Sequence, residues 1–319
     1  MKNRKFFNPS SGAEKRKGAV EMPFAWLFSL IVGAFILFLA IFAVVKIMQT
    51  ENVAIDAATA KEVGVLLNPL ETGFEAAKTT SLILPKDTRI YNRCTKDETF
   101  GRQTIRLSQK NFGKWSDTDV NVGFSNKYLF SNNYTEGKKF FIFSKPFEFP
   151  FKIADVIYIT SANDKYCFEN SPADVSDELS NLGQENIFIK DCPANSVRVC
   201  FSGNCEIRVN LESKYVEKRD SKMYFTDNTL MYAAIFSDSD TYECQLKRLM
   251  QRGEELTSLY IEKSNIIAAK GCSSNLGNDL SVLSSQFNVV DSSVNLNSAV
   301  VDAVQNIGVE NGASNCKLW

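Results

Sequence analysis

Over 319 residues the chain sets 36 lysines and arginines against 37 aspartates and glutamates, a net charge of −1, and it contains no histidine. A near-neutral balance argues against nucleic acid as a partner. The missing imidazole removes the usual general base of serine and cysteine hydrolases and the commonest metal ligand.

The first 22 residues are a polar, basic segment with little to bury. Lys2, Arg4, Lys5, Lys15, Arg16 and Lys17 against Glu14 and Glu21 make it +4, which leaves −5 for the rest of the chain. The next 23 residues, 23–45, hold no charged side chain. At a helical rise of ~1.5 Å per residue such a stretch covers roughly 35 Å, enough for the ~30 Å hydrocarbon layer. The run is longer than the apolar core of a removable signal peptide, so a signal-anchor is expected. The cationic flank points to a cytoplasmic N-terminus and an extracellular C-terminal domain at the cell membrane. All eight cysteines, Cys94, Cys167, Cys192, Cys200, Cys205, Cys244, Cys272 and Cys316, follow the span, which suggests up to four structural disulfides in an oxidising compartment. Their connectivity stays open. The sequon Asn133-Tyr134-Thr135 fits an exported surface loop.

Helical spacing continues beyond the span to about residue 67, and Asn68-Pro69 interrupts it. Residues 71–78 read as a short resumed helix that Pro85 ends, and from Leu82 to about Phe225 short apolar or alternating runs bounded by Gly, Asn, Asp and Pro read as strands. They are 89–93, 104–107, 127–130, 139–143, 155–160, 186–190, 196–201, 206–211 and 222–225. Phe201-Ser202-Gly203-Asn204 suggests a hairpin turn, with Cys200 and Cys205 able to bridge across it. A helical stretch at 174–182 suggests a β-α-β crossover from the strand at 155–160 to that at 186–190. The best-marked helix is 241–270. Asp240 and Glu243 resemble a capping box, Lys270-Gly271 a stop, and Tyr242, Leu246, Leu249, Leu256, Tyr260 and Ile267 form one apolar stripe. Helices are also expected at 276–286 and 296–307. The expected fold class is α+β: one N-terminal transmembrane helix continuing into an exported β-rich domain with a C-terminal helical subdomain, stapled by disulfides. The expected divisions are a basic tail (1–22), the transmembrane helix (23–46), a helical stalk (47–80), a β-rich ectodomain (81–227) and a helical part packed on it (228–319).

Candidate sites are sparse. Cys192, Cys200 and Cys205 lack the paired two-residue spacing of zinc sites. Residues 117–121 begin like a calcium loop, but Val122 and Tyr128 stand where glycine and glutamate are needed. In residues 145–153, Phe147, Phe149, Phe151 and Ile153 alternate with Glu148, Pro150 and Lys152, a face that either closes the core or meets a partner or the outer membrane surface. No cofactor, metal or catalytic residue is expected.

The segment Lys15-Arg16-Lys17-Gly18-Ala19-Val20-Glu21, with the apolar helix that follows, resembles type IV pilins and archaeal class III signal-peptide proteins. The resemblance implies cleavage after Gly18, a mature terminus at Ala19 and docking of a filament subunit through Glu21. The remainder is similar to single-span archaeal-type surface proteins. Three readings follow: a single-pass cell-envelope protein with a structural or interaction ectodomain, a pilin-like filament subunit, and a surface ligand-binding receptor or carboxylate-based hydrolase. Partners are the lipid bilayer and, by self-association or otherwise, envelope proteins.

Overall fold

A computed structural model describes residues 24–67, 78–96, 101–111, 113–115, 121–272 and 274–319. The chain divides into two compact units, Met1–Glu51 and Asn52–Trp319. Helix α1 (Phe24–Leu67) contains a 22-residue apolar segment, Trp26–Ile47, of mean hydropathy 2.9 with none of its side chains buried. A segment that is apolar on all sides, exposed throughout and charged only at Lys46 near its end is matched to lipid by composition and length.

The second unit is mixed α and β. Its first sheet joins β1 (Lys78–Thr95), β2 (Arg102–Asn111), β3 (Lys114–Trp115), β4 (Asn121–Phe124), β5 (Tyr128–Phe130), β6 (Tyr134–Glu148) and β7 (Lys152–Ser161) in the order β3-β2-β1-β6-β7-β5, with β4 also on β2. Its strands β6 and β7 are buried on both faces. Ile90, Ile105, Leu107, Leu129, Phe140, Ile142, Ile157 and Ile159 share one cluster although they come from five strands of the same sheet, which requires the sheet to curl over that face. The curl brings β5 back towards β1 and β2, and side chains seal the seam. Asn92 donates to the Leu129 carbonyl (3.1 Å) and Gln103 accepts from the Leu129 amide (2.9 Å).

The opposite face, with Phe143, Phe147, Val156 and Tyr158, belongs to a larger core shared with the second sheet and the helices. That sheet contains β8 (Tyr166–Glu169), β9 (Ile187–Phe188), β10 (Val197–Cys200), β11 (Ile207–Asn210), β12 (Tyr215–Lys218) and β13 (Ser221–Tyr224), ordered β13-β12-β11-β10-β8-β9. Helix α3 (Asn228–Phe236) is buried at every position from Thr229 to Phe236 and contacts strands of both sheets. Its sequence NTLMYAAIF has no polar face to give to water, so it is a core element. Helices α4 (Ser239–Ala269), α5 (Gly277–Val289) and α6 (Ser298–Ala313) complete the unit.

Each of the nine expected strands overlaps an observed one, and the helices expected at 174–182, 241–270, 276–286 and 296–307 each overlap an observed helix, while 71–77 of the expected short helix lie outside the described residues. Four details differ. Helix α2 (Ala173–Asn181) crosses from β8, not from β7, to β9, because Tyr166 pairs in parallel with Ile187. The expected hairpin at 201–204 is a parallel connection: residues 201–206 carry the chain back to the level of Arg198, and Val199 pairs with Ile207. The expected capping box does not form, since α4 begins at Ser239 and the Glu243 carboxylate accepts instead from Ser293 (amide 2.6 Å, hydroxyl 2.5 Å). Strand β1 starts at Lys78, inside the segment expected to be helical stalk. The stop at Lys270-Gly271 is as expected. Gly271 has φ +86°, its amide donates to Ala268 and that of Cys272 to Ile267.

Candidate functional site

The cysteines pair as Cys94–Cys244, Cys167–Cys192, Cys200–Cys205 and Cys272–Cys316, and none is free. The first pair ties β1 to α4 beside a buried polar network. Gln245 on α4 donates to Gln103 and to the Leu129 carbonyl (3.1 Å each), and the fully buried Arg248 donates to the Lys127 and Ser125 carbonyls (2.9 and 2.8 Å). Burial lowers the Arg248 pKa, and the carbonyl oxygens compensate the desolvated guanidinium. These groups satisfy one another and leave nothing to offer a substrate.

Cys167, Glu169 and Cys192 lie close enough to hold a metal, and they are the one such group among the described residues. Both sulfurs are committed to the Cys167–Cys192 disulfide, so the donor set does not fit an ion. Phe147, Phe149, Phe151 and Ile153 are all buried in the larger core, Phe149 against Phe287 and Phe151 against Tyr260 and Trp319. The alternating phenylalanines therefore close the core and form no exposed face. Gly18, Ala19, Glu21 and positions 117–120 lie outside the described residues.

A polar groove of about 960 Å³ was not foreseen from the sequence. Asn132, Asn133, Tyr134 and Glu136 line it from the start of β6. Asn163, Asp164 and Tyr166 line it from the β7–β8 turn, Glu206 and Ile207 from the head of β11, Lys218 and Arg219 from the β12–β13 turn, and Asp238 and Asp240 from the head of α4. Its residues span more than a hundred positions of sequence and share no local motif, so only the fold assembles them. Lys218 is half-buried. Its Nζ donates to the Ser237 carbonyl (2.7 Å), and burial draws its pKa down to about 7 against the opposing pull of Asp238. Burial also raises the Asp164 pKa. Asp238 itself accepts from the Asn133 amide (2.5 Å), and Glu136 pairs with Arg89 (2.8 Å). The arrangement can present hydrogen-bond donors and acceptors to a polar ligand.

Set against family models, curated proteins and solved structures, the chain matches none.

Proposed function

We propose that this protein is a single-pass membrane-anchored envelope protein whose disulfide-stapled domain works outside the cell as a structural or interaction module. The observation that carries the reading is the exposed apolar segment Trp26–Ile47 in a chain whose eight cysteines all follow it, in four disulfide pairs. Lipid is the solvent that such a segment fits, and disulfides persist in oxidising compartments. The polar groove and the sheet surfaces are then available to envelope partners.

A second reading, a pilin-like subunit cut after Gly18, draws support from the length of α1, which runs unbroken for 44 residues, past its apolar segment. Epitopes placed before Met1 and after Trp319, probed with protease on intact and on opened cells, test the topology. Digestion of only the C-terminal epitope on intact cells is expected. Digestion of only the N-terminal one refutes the reading. The N-terminal sequence of the protein from its native membrane separates the two proposals, because a chain beginning at Ala19 points to processing and filament assembly.

A further inference from the structure

On the convex side of the first sheet, opposite the inward-facing Ile90, Ile105 and Leu107, the register of β1 against β2 sets out a line of cations. The pairs Thr95↔Arg102, Arg93↔Thr104, Tyr91↔Arg106 and Arg89↔Ser108 place Arg102, Arg93, Arg106 and Arg89 at successive two-residue levels on alternating strands, and Lys110 continues the row along β2. At ~3.4 Å per residue the steps are about 7 Å and the row about 27 Å long. Arg93, Arg102 and Lys110 are exposed.

Aromatic rings are set between the charges. The Arg106 guanidinium lies 4.4 Å over Tyr91, Arg89 lies 4.0 Å over Trp115 and 5.4 Å over Tyr134, and Lys110 lies 5.6 Å over Trp115. A guanidinium held flat on a ring keeps its N–H edge free for bidentate bonding to a carboxylate. Against these five cations the face carries two described acids, Glu136, paired with Arg89, and Asp87, which precedes Arg89 by two residues at the level of Lys110. That is a segregated positive strip on a chain whose residues after the basic tail sum to −5.

We infer that this strip of β1 and β2 is a docking face for a linear acidic polysaccharide. Carboxylates spaced along the polymer meet the guanidiniums, and the apolar faces of its sugar rings rest on Trp115 and Tyr134, the latter 53% exposed. The choice of a polyanion follows from charge complementarity. A strip two strands wide fits a single extended chain. The choice of sugar over nucleic acid rests on the exported topology proposed above.

Full-length protein in neutral detergent micelles, titrated with oligogalacturonate, neutral dextran and oligothymidylate, tests the inference. Oligogalacturonate is expected to bind and to weaken as salt rises, while dextran does not bind. Arg93→Glu with Arg102→Glu, both at exposed positions, should weaken binding about tenfold or more, a change of about 1.4 kcal/mol or more. Lys222→Glu on the second sheet should leave it unchanged. No binding of oligogalacturonate, indifference to the double reversal, or equal affinity for oligothymidylate overturns the inference. Binding to purified protein does not depend on which side of the membrane the domain occupies, so this failure is distinguishable from failure of the epitope experiment.

Discussion

Lys218 holds an amine in a half-buried site with the Ser237 carbonyl as its acceptor, and that position makes stability depend on pH in a defined direction. The folded pKa is about 7 and the unfolded value 10.5. Between these values the unfolded chain keeps a proton that the folded chain has released, so stability rises with pH across that window and is flat in this respect below it. Lys218→Met should flatten the rise of melting temperature between pH 7 and 9. An equally steep rise in the variant would assign the effect to other groups. Gly101 offers a second test at this scale. Its φ is +58°, and an added Cβ would stand 2.5 Å from the Thr95 carbonyl oxygen and 2.9 Å from Arg248 Cγ. Backbone cannot yield as a side-chain tip can, so Gly101→Ala should cost about 1–3 kcal/mol or more by denaturant titration. Gly113→Ala, where φ is +78° but nothing lies within 4 Å, should cost less.

Among the elements, the disulfides differ most in the chain they close. Cys94–Cys244 spans 150 residues and Cys200–Cys205 spans 5. The chain-entropy relation assigns about 5 kcal/mol to the first loop and about 2 kcal/mol to the second. Paired Cys→Ala replacement should therefore destabilise far more at Cys94 and Cys244 than at Cys200 and Cys205, read as the shift in denaturant midpoint. An inverted order would show that native packing, not loop closure, governs the loss. Local pattern was enough to locate most strands and the stripe on α4, because alternation and three-to-four spacing are set by neighbouring residues. Pairing partners were not legible. The six-residue return between β10 and β11 is shorter than the usual parallel crossover of a dozen or more residues, so a hairpin was the expected reading. Glu243 had the spacing of a cap, yet a tertiary partner, Ser293, claims it. The groove was invisible for the same reason: its carboxylates, amides and Lys218 meet through strand order, which no window of sequence contains.

For the whole molecule, the proposed attachment to the bilayer turns on a sum that can be tested by degrees. Of the 22 residues in Trp26–Ile47, fifteen are Leu, Ile, Phe or Val. At about −0.3 to −0.6 kcal/mol each near the centre of a span they contribute roughly −5 to −9 kcal/mol to insertion. One arginine at mid-span opposes this with about +2.5 to +3.5 kcal/mol. Leu37→Arg alone should therefore leave the protein in the membrane pellet after alkaline extraction. Adding Phe35→Arg brings the sum close to zero, and adding Leu39→Arg as a third makes it unfavourable, so the triple variant should appear in the supernatant. Because the disulfide-stapled unit carries its own buried core, the released triple variant should keep the melting transition of that unit. Release by the single substitution would mean that the segment is held by something weaker than a full crossing. Retention of the triple variant would mean that contacts outside Trp26–Ile47 hold the protein at the membrane.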